Sequence, residues 1–479
     1  MPYTEFYVHP QGSNLNAGST SGLIPTASGV NGLWDSTQNL FLGSVGCMAG
    51  VSSGMYASIF TISTTDKTGY VAEVVEVLGT GGNESGIRTS TLCVNGTKPT
   101  TASTSRNCRV GGAWGGPDGS MGFPLNWIGS NLTNPSLHPI RVNINNSAPY
   151  TISAGMTLST ASTRGGAMTF QGYTNTIGDS GRAIIQGPQT GASITLWTTT
   201  IPCEINSLHF RWNGNSGGAA LVQTSSSASL WRRCLFTDYF RFVWLANGSL
   251  AEDCEFYNGD LGNNDYGLIY LSTANLERCI IHNSSGLNCH GLTIAGASNI
   301  DNCQIFRIGG NGIQLKTISS LAKINNCDFY KVNGNVVQTN GSATRMNQLI
   351  VENCNFISCS GYLGYETIPG NNDIVLRNCG LYNTSSSIIG DSVGWRLKDM
   401  FTYIANPFTD ADNGDFTLSE EAANKGVYSF EGVNVSARPV GYLDVGSVQK
   451  LQTGGGIEYI PSGIPGRVAI NRNRIIGGY

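Results

Sequence analysis

Charge is scarce in this chain of 479 residues: Asp, Glu, Lys and Arg together make up only 12% of it. The 27 basic and 31 acidic residues leave a net charge of −4 and no Lys/Arg cluster, which excludes the electrostatic footprint of a nucleic-acid binder. No run of 18 apolar residues occurs, so nothing reads as a membrane-inserting helix. Long amphipathic helical periodicity is missing as well. The opening stretch, Met1-Pro-Tyr-Thr-Glu-Phe-Tyr-Val-His-Pro, has neither a charged nor an apolar leader region, and the expectation is synthesis in a cytoplasm without a signal peptide. The cysteines number thirteen, an odd count for a disulfide framework, and free buried thiols are expected instead.

What is abundant is Gly, 63 residues of it, together with Asn, Ser and Thr, a balance that suits turn-dense β-structure. A chain of this length exceeds one ordinary core, so it needs several domains or a repeat. The repeat is visible: Trp231-Arg-Arg-Cys-Leu-Phe, Ala251-Glu-Asp-Cys-Glu-Phe, Leu276-Glu-Arg-Cys-Ile-Ile, Ile300-Asp-Asn-Cys-Gln-Ile, Ile324-Asn-Asn-Cys-Asp-Phe, Val351-Glu-Asn-Cys-Asn-Phe and Leu376-Arg-Asn-Cys-Gly-Leu. The aligned cysteines are Cys234, Cys254, Cys279, Cys303, Cys327, Cys354 and Cys379, at steps of 20, 25, 24, 24, 27 and 25 residues. An eighth copy, Ile205-Asn-Ser-Leu-His-Phe, has Leu208 in the cysteine position.

A period in the twenties fits leucine-rich repeats or β-helices. No repeat holds a helix-length amphipathic segment, and each offers two or three short apolar runs between Asn/Gly/Ser turns, which selects the β-helix. Within the hexamer the first, fourth and sixth positions are apolar. The fourth and sixth alternate as in a half-buried strand, while the extra residue between first and fourth demands a sharp corner. Asn302, Asn326, Asn353 and Asn378 precede the cysteine in four successive turns. Asn tolerates left-handed backbone, and stacked amides can bond from turn to turn, so an internal Asn ladder is expected beside inward cysteines stacked about 4.8 Å apart.

On these residues the region resembles the right-handed parallel β-helix repeat proteins of the pectin-lyase-like superfamily. The expected fold class is all-β, a single-stranded right-handed parallel β-helix over residues 139–384. An N-terminal β-rich cap or insert is expected over 1–138, a C-terminal cap over 385–453, and a tail or docking arm over 454–479. The tail carries Arg467, Arg472 and Arg474 and no acidic residue after Glu458.

The chemistry is harder to read. Asp238, Asp253, Glu255, Asp260 and Asp265 fall on adjacent turns facing outward; a glycan-cleaving site would need such carboxylates as an acid/base pair, and Asp238, Glu255, Asp260 and Asp265 are the catalytic candidates. A solvated acidic face explains them better, and the sequence signatures of pectin-degrading hydrolases are missing. His282 and His290, beside Cys289, lack zinc spacing, so no metal or cofactor is expected. Cys234 beside Arg232 and Arg233 reads as an inert core thiol. The combination of no leader, low charge, reduced cysteines and extra terminal segments resembles a bacteriophage virion protein: a tailspike, fibre or capsid-decorating spike. That resemblance implies other virion proteins as partners, homo-oligomers such as trimers, and contact with a host-surface glycan. A polysaccharide lyase or hydrolase on the same fold, and a bacterial surface adhesin, are the alternatives.

Overall fold

The computed structural model describes residues 4–11, 27–61, 70–95, 106–111, 139–152, 155–158, 168–179, 181–187, 194–212, 220–225, 228–239, 242–259, 267–284, 286, 289–316, 321–339, 347–366, 372–389, 394–413, 415–418, 429–430 and 433–434. Two compact units divide the chain, Met1–Phe240 with Ala246–Ser249, and Arg241–Leu245 with Leu250–Tyr479. Each is described by itself.

In the first unit the chain coils through three parallel sheets, contributing one short strand to each per turn. Sheet I takes Ile140–Asn145, Met168–Tyr173, Glu204–Asn206 and Leu230–Arg232; sheet II takes Tyr150–Thr151, Ala183–Gln186, Leu208–Arg211 and Leu235–Thr237; sheet III takes Met156–Leu158, Trp197–Thr199 and Val222–Thr224. Neighbours pair in parallel and in register, with Phe170 opposite Ile205 and Ile205 opposite Trp231. These residues are fully buried, as are Trp197 and Phe210, whose rings meet edge to face at 5.6 Å.

Residues 1–138, expected as a β-rich cap or insert, hold both a strand of the coil and an inserted barrel. Thr4–Val8 is itself a strand of sheet I, pairing Phe6 with Val142 and Val8 with Ile144. The alternation Phe6, Val8 turns both side chains inward, where they are fully buried. Between this strand and Ile140 sits an inserted antiparallel barrel of six strands, Ala27–Asp35, Leu40–Leu42, Tyr56–Thr61, Tyr70–Leu78, Gly86–Asn95 and Arg106–Val110, closed in the order 1-2-5-4-3-6. It has its own core, including Trp34, Phe41, Ile59, Val74, Ile87 and Cys108, and closure leaves its sheet without an open edge. Tyr56 on the barrel meets the ring of Phe6 at 5.4 Å.

The second unit repeats the three-sheet coil. Sheet I takes Leu250–Glu252, Asn275–Glu277, Asn299–Asp301, Leu321–Asn325, Asn347–Glu352, Asn372–Arg377 and Trp395–Lys398; sheet II takes Glu255–Tyr257, Ile280–Ser284, Gln304–Ile308, Asp328–Val332, Asn355–Ile357, Gly380–Tyr382 and Phe401–Thr402; sheet III takes Gly267–Ser272, His290–Ile294, Ile313–Leu315, Val337–Thr339, Gly364–Glu366 and Ile388–Ile389. Regular pairing therefore continues to Thr402, past the expected limit at 384, with the buried Trp395 opposite Ile374 and Leu397 opposite Leu376 in a turn that has no cysteine.

The corner between sheets I and II explains the hexamer. The residue before each cysteine is left-handed: Arg233, Asp253, Arg278, Asn302, Asn326, Asn353 and Asn378 have φ between 50° and 54°, and Ser207 and Asp399 occupy the same position in cysteine-free turns. A left-handed residue turns the chain sharply, and in doing so brings the thiol back over the carbonyl two residues earlier. Each thiol donates to that carbonyl, at 3.3 Å for Cys303 to Asp301, 3.1 Å for Cys327 to Asn325 and 3.2 Å for Cys379 to Arg377. The same carbonyls accept a backbone N–H from the preceding turn, as in Arg278 to Asp301 at 3.0 Å. Cysteine is thus small and apolar enough for the core and still supplies a donor to a carbonyl's second lone pair. The described cysteines are free, and burial pushes the thiols of Cys303, Cys327 and Cys354 well above the usual range.

The Asn column bonds from turn to turn through its side-chain amides. Asn378 donates through its amide to Asn353, but Asn326 donates at 2.9 Å to Asp301, because a better acceptor stands on that turn. A second left-handed column closes sheet II four residues after each cysteine, at Asp238, Asn258, Asn283, Arg307, Lys331, Ser358 and Asn383.

The C-terminal segment doubles back. Phe408–Asp410 and Asp415–Leu418 form an antiparallel hairpin, and Tyr403, Phe408, Ala411 and Phe416 cover Phe306, Tyr330 and Ile357, the outward residues of three sheet II strands. Arg307 donates to the Asp412 carbonyl and Lys331 pairs with its carboxylate. Within the expected cap over 385–453 the described residues thus comprise the last coil strands, this strap, and a short hairpin of Ser429–Phe430 with Val433–Asn434. Residues 435–479, with Arg467, Arg472 and Arg474, lie outside them.

Candidate functional site

The acidic candidates do not form one cluster. Asp238, in the first unit, is exposed at a left-handed corner. Glu255, in the second, projects outward from sheet II and bonds His282 Nε2 at 3.0 Å. His282 lies between two rings, Tyr257 at 5.1 Å and Phe306 at 4.7 Å. Asp260 and Asp265 lie outside the described residues. Asp253 is held by Arg278 at 2.9 Å, and the same guanidinium binds Glu252 and Glu277. Asp301 stands beside this network; burial, with the Glu277 charge adding, pushes its carboxyl up to about 6. Glu252, Asp253 and Glu277 are thus tied together through one guanidinium along the corner, which is how a stack of like charges is made tolerable on adjacent turns.

The two histidines belong to different sheets. His282 faces outward on sheet II, whereas His290, on sheet III, is 4% exposed and accepts the Asn311 backbone N–H at 3.0 Å. Among the described residues no three His, Cys, Asp or Glu side chains are grouped to hold a metal ion. Cys234 is fully buried and donates to the Ile205 and Arg232 carbonyls, while the Arg232 side chain pairs with Glu204 and that of Arg233 donates to Asn206.

Sheet III holds what the acidic pattern concealed. Its outward row in the second unit is Tyr270, Thr293, Gln314, Gln338, Tyr365 and Ile389, each opposite the next. No member is charged. Trp244 and Tyr270 meet at 5.6 Å toward one end, and Phe242 lies 5.6 Å from Tyr270. Toward the other end Tyr362 and Tyr365 stack at 6.5 Å and 17°, with Tyr362 43% exposed and Tyr365 half-buried.

The polar residues there are rigidly placed. The Asn311 side-chain oxygen accepts the Asn335 N–H at 2.8 Å, and the Asn335 side-chain oxygen accepts the Tyr362 N–H at 3.1 Å. Their amide nitrogens converge on Gln338 Oε1, at 2.8 Å from Asn311 and 3.2 Å from Asn335. Gln314 is 1% exposed with no acceptor for its Nε2 among the described residues. An aromatic platform beside amides that are already oriented can bind the faces and hydroxyls of a sugar. Gln314, Gln338 and Tyr365 each stand eleven residues after their cysteine, Cys303, Cys327 and Cys354, so extending the cysteine alignment would have put them in one row.

Residues 192–392 match the family model described as right handed beta helix region. Solved structures similar to the chain include pectate lyase Pel9A, at 10% identity and a TM-score of 0.38, covering 67% of this chain and 93% of that one. A PL6 family polysaccharide lyase, Pedsa3628 from Pseudopedobacter saltans, is 10% identical with a TM-score of 0.32, over 62% of this chain and 95% of that one. The pectin methylesterase from Aspergillus niger is 12% identical with a TM-score of 0.26, over 56% and 78%. No curated protein matches the sequence.

Proposed function

We propose that this right-handed parallel β-helix protein is a glycan-recognising structural component of a bacteriophage virion, a spike, fibre or tailspike that holds a carbohydrate without cleaving it. The observation that carries the reading is the sheet III platform, in which Tyr362 and Tyr365 stack beside Gln338 and the amides around them are fixed before any ligand arrives. Fixing them in advance lowers the ordering cost of binding. The virion setting is supported by a core of free, fully buried thiols that bond to backbone carbonyls, which suits a protein assembled under reducing conditions and used outside them. Homotrimeric assembly and attachment through the Arg467, Arg472 and Arg474 segment belong to the same proposal.

The test is binding of immobilised host-surface polysaccharides by the purified full chain, with Tyr365→Ala and Tyr362→Ala as controls. Loss of about tenfold or more in affinity with an unchanged far-UV spectrum supports the platform. Unchanged affinity in both variants rejects it. Mass spectrometry of purified virions tests the setting, which fails if the protein is in none of them.

One observation favours an enzymatic reading, the Glu255–His282 contact, since a carboxylate that orients an imidazole is a recurring base arrangement. Replacing Asp238, Glu255 and Asp260 together decides it: glycan shortening by the natural chain that the triple variant loses, with its fold intact, would establish a depolymerase.

A further inference from the structure

The last turn of the coil repeats the corner of the others but leaves its bonds unmade. At that corner each left-handed residue donates its backbone N–H to a sheet I carbonyl of the next turn. Asp253, Arg278, Asn302, Asn326, Asn353 and Asn378 do so at 3.0–3.3 Å, the last of them to Lys398. Asp399 is the next member, left-handed at φ 51° and exposed, and among the described residues neither its N–H nor its carboxylate has a partner. The core shows the same gap. Leu376 is fully buried, whereas Leu397, opposite it on the final strand, is 39% exposed. Among the described residues Trp395–Lys398 is the edge of sheet I, and an unpaired edge is a template for one more strand.

The sequence supplies that strand. Near the end of the chain, Ile470-Asn-Arg-Asn-Arg-Ile repeats the hexamer, with apolar first and sixth positions and Arg in the third, where Arg233 and Arg278 stand in the coil. Val468 continues the alternation, as Trp395 does before Leu397. We propose that residues 468–475 close the coil of their own chain, pairing in parallel on Trp395–Lys398 with Val468 opposite Trp395 and Ile470 opposite Leu397. The Asn471 carbonyl then accepts the Asp399 N–H. Arg472 stands over Asp399 as Arg278 stands over Asp253, whose carboxylate it binds at 2.9 Å. Asn473 takes the cysteine position, which a closing turn permits because only one side of it faces core. The 33 residues between Asn434 and Val468 can span roughly 110 Å when extended, and a tethered strand competes at high effective concentration against one from another molecule. Arg467 and Arg474 fall on outward positions of this register, so closure leaves them available for attachment.

Hydrogen exchange of the full chain, read by mass spectrometry, tests this. The expected result is protection of residues 395–399 and 468–475 together, unchanged when the chain is diluted. Ile470→Asp puts a carboxylate on a core position and is expected to speed exchange in both segments about tenfold or more, while Asn347–Glu352 keeps its protection as a control of folding. Arg472→Asp sets two carboxylates together at the corner and is expected to speed it roughly threefold. Adding Asp399→Arg should restore protection, since Asp and Arg both already occupy this left-handed position, at Asp253 and Arg278. Free exchange of either segment in the natural chain overturns the proposal, as does protection of 395–399 that survives Ile470→Asp and Arg472→Asp. Protection lost on dilution assigns the strand to a second copy and overturns closure by the same chain. Failure of the paired reversal to restore protection overturns the register that sets Arg472 over Asp399.

Discussion

The strap over sheet II is held by its rings, not by its ion pair, and single substitutions separate the two. Phe416 is 2% exposed and touches three rings, Phe306 at 5.1 Å, Tyr330 at 6.1 Å and Phe408 at 4.9 Å. Truncating a buried Phe to Ala removes transfer energy and leaves a cavity, about 3–5 kcal/mol together. At about 1.4 kcal/mol per factor of ten, Phe416→Ala raises the fraction of molecules with the strap open by roughly 100-fold or more. Asp412 and Lys331 are about half exposed, and solvent screens such a pair so that it adds little. Asp412→Ala should therefore change strap opening by no more than about fivefold. Native-state hydrogen exchange of the Phe408–Asp410 and Asp415–Leu418 amides measures both, because local opening is read directly as lost protection. If Asp412→Ala accelerates exchange as much as Phe416→Ala, the assignment of the strap to ring packing is wrong.

Substitutions at three further positions test the corner. Cys303→Val fills similar space without a donor and should cost about 0.5–1.5 kcal/mol in urea unfolding; no cost would mean the thiol merely fills volume. Asn353, at φ 53°, should tolerate Gly better than Ala by about 1 kcal/mol, since Ala keeps the left-handed penalty and both lose the amide; equal stability of the two variants would contradict the strained corner. Asp301 has its carboxyl raised in the folded chain, so its contribution is complete below about pH 4 and is lost as pH rises toward 6. Asp301→Asn should flatten that part of the stability–pH curve, and an unchanged slope there would remove Asp301 as its source.

The cysteine hexamer made the coil legible because three of its six positions are core and one is a backbone constraint, each with its own chemical mark. The marks fade where chemistry permits substitutes. Arg233, Asp253 and Arg278 adopt the same left-handed conformation as the asparagines, but neither residue type announces it, and the corner column looked shorter than it is. The pairing of the Thr4–Val8 strand was hidden because its partner lies across the whole barrel insertion, a separation that no local period can reveal. The carboxylates drew attention as a chemical pattern, yet most of those described are bound to Arg278 or His282. The platform stayed unseen because Gln338 and Tyr365 are ordinary surface residues until register places them side by side, and because Asn311 and Asn335, which read as turn residues, in fact fix the glutamine between them.

The measurement that bears most directly on the account is the fate of a polysaccharide incubated with the full chain, read for binding and for chain length in the same sample. Saturable binding that Tyr365→Ala weakens about tenfold or more, with the glycan recovered at its original length, is the predicted result. Shortened glycan, or binding that Tyr365→Ala leaves untouched, would contradict it.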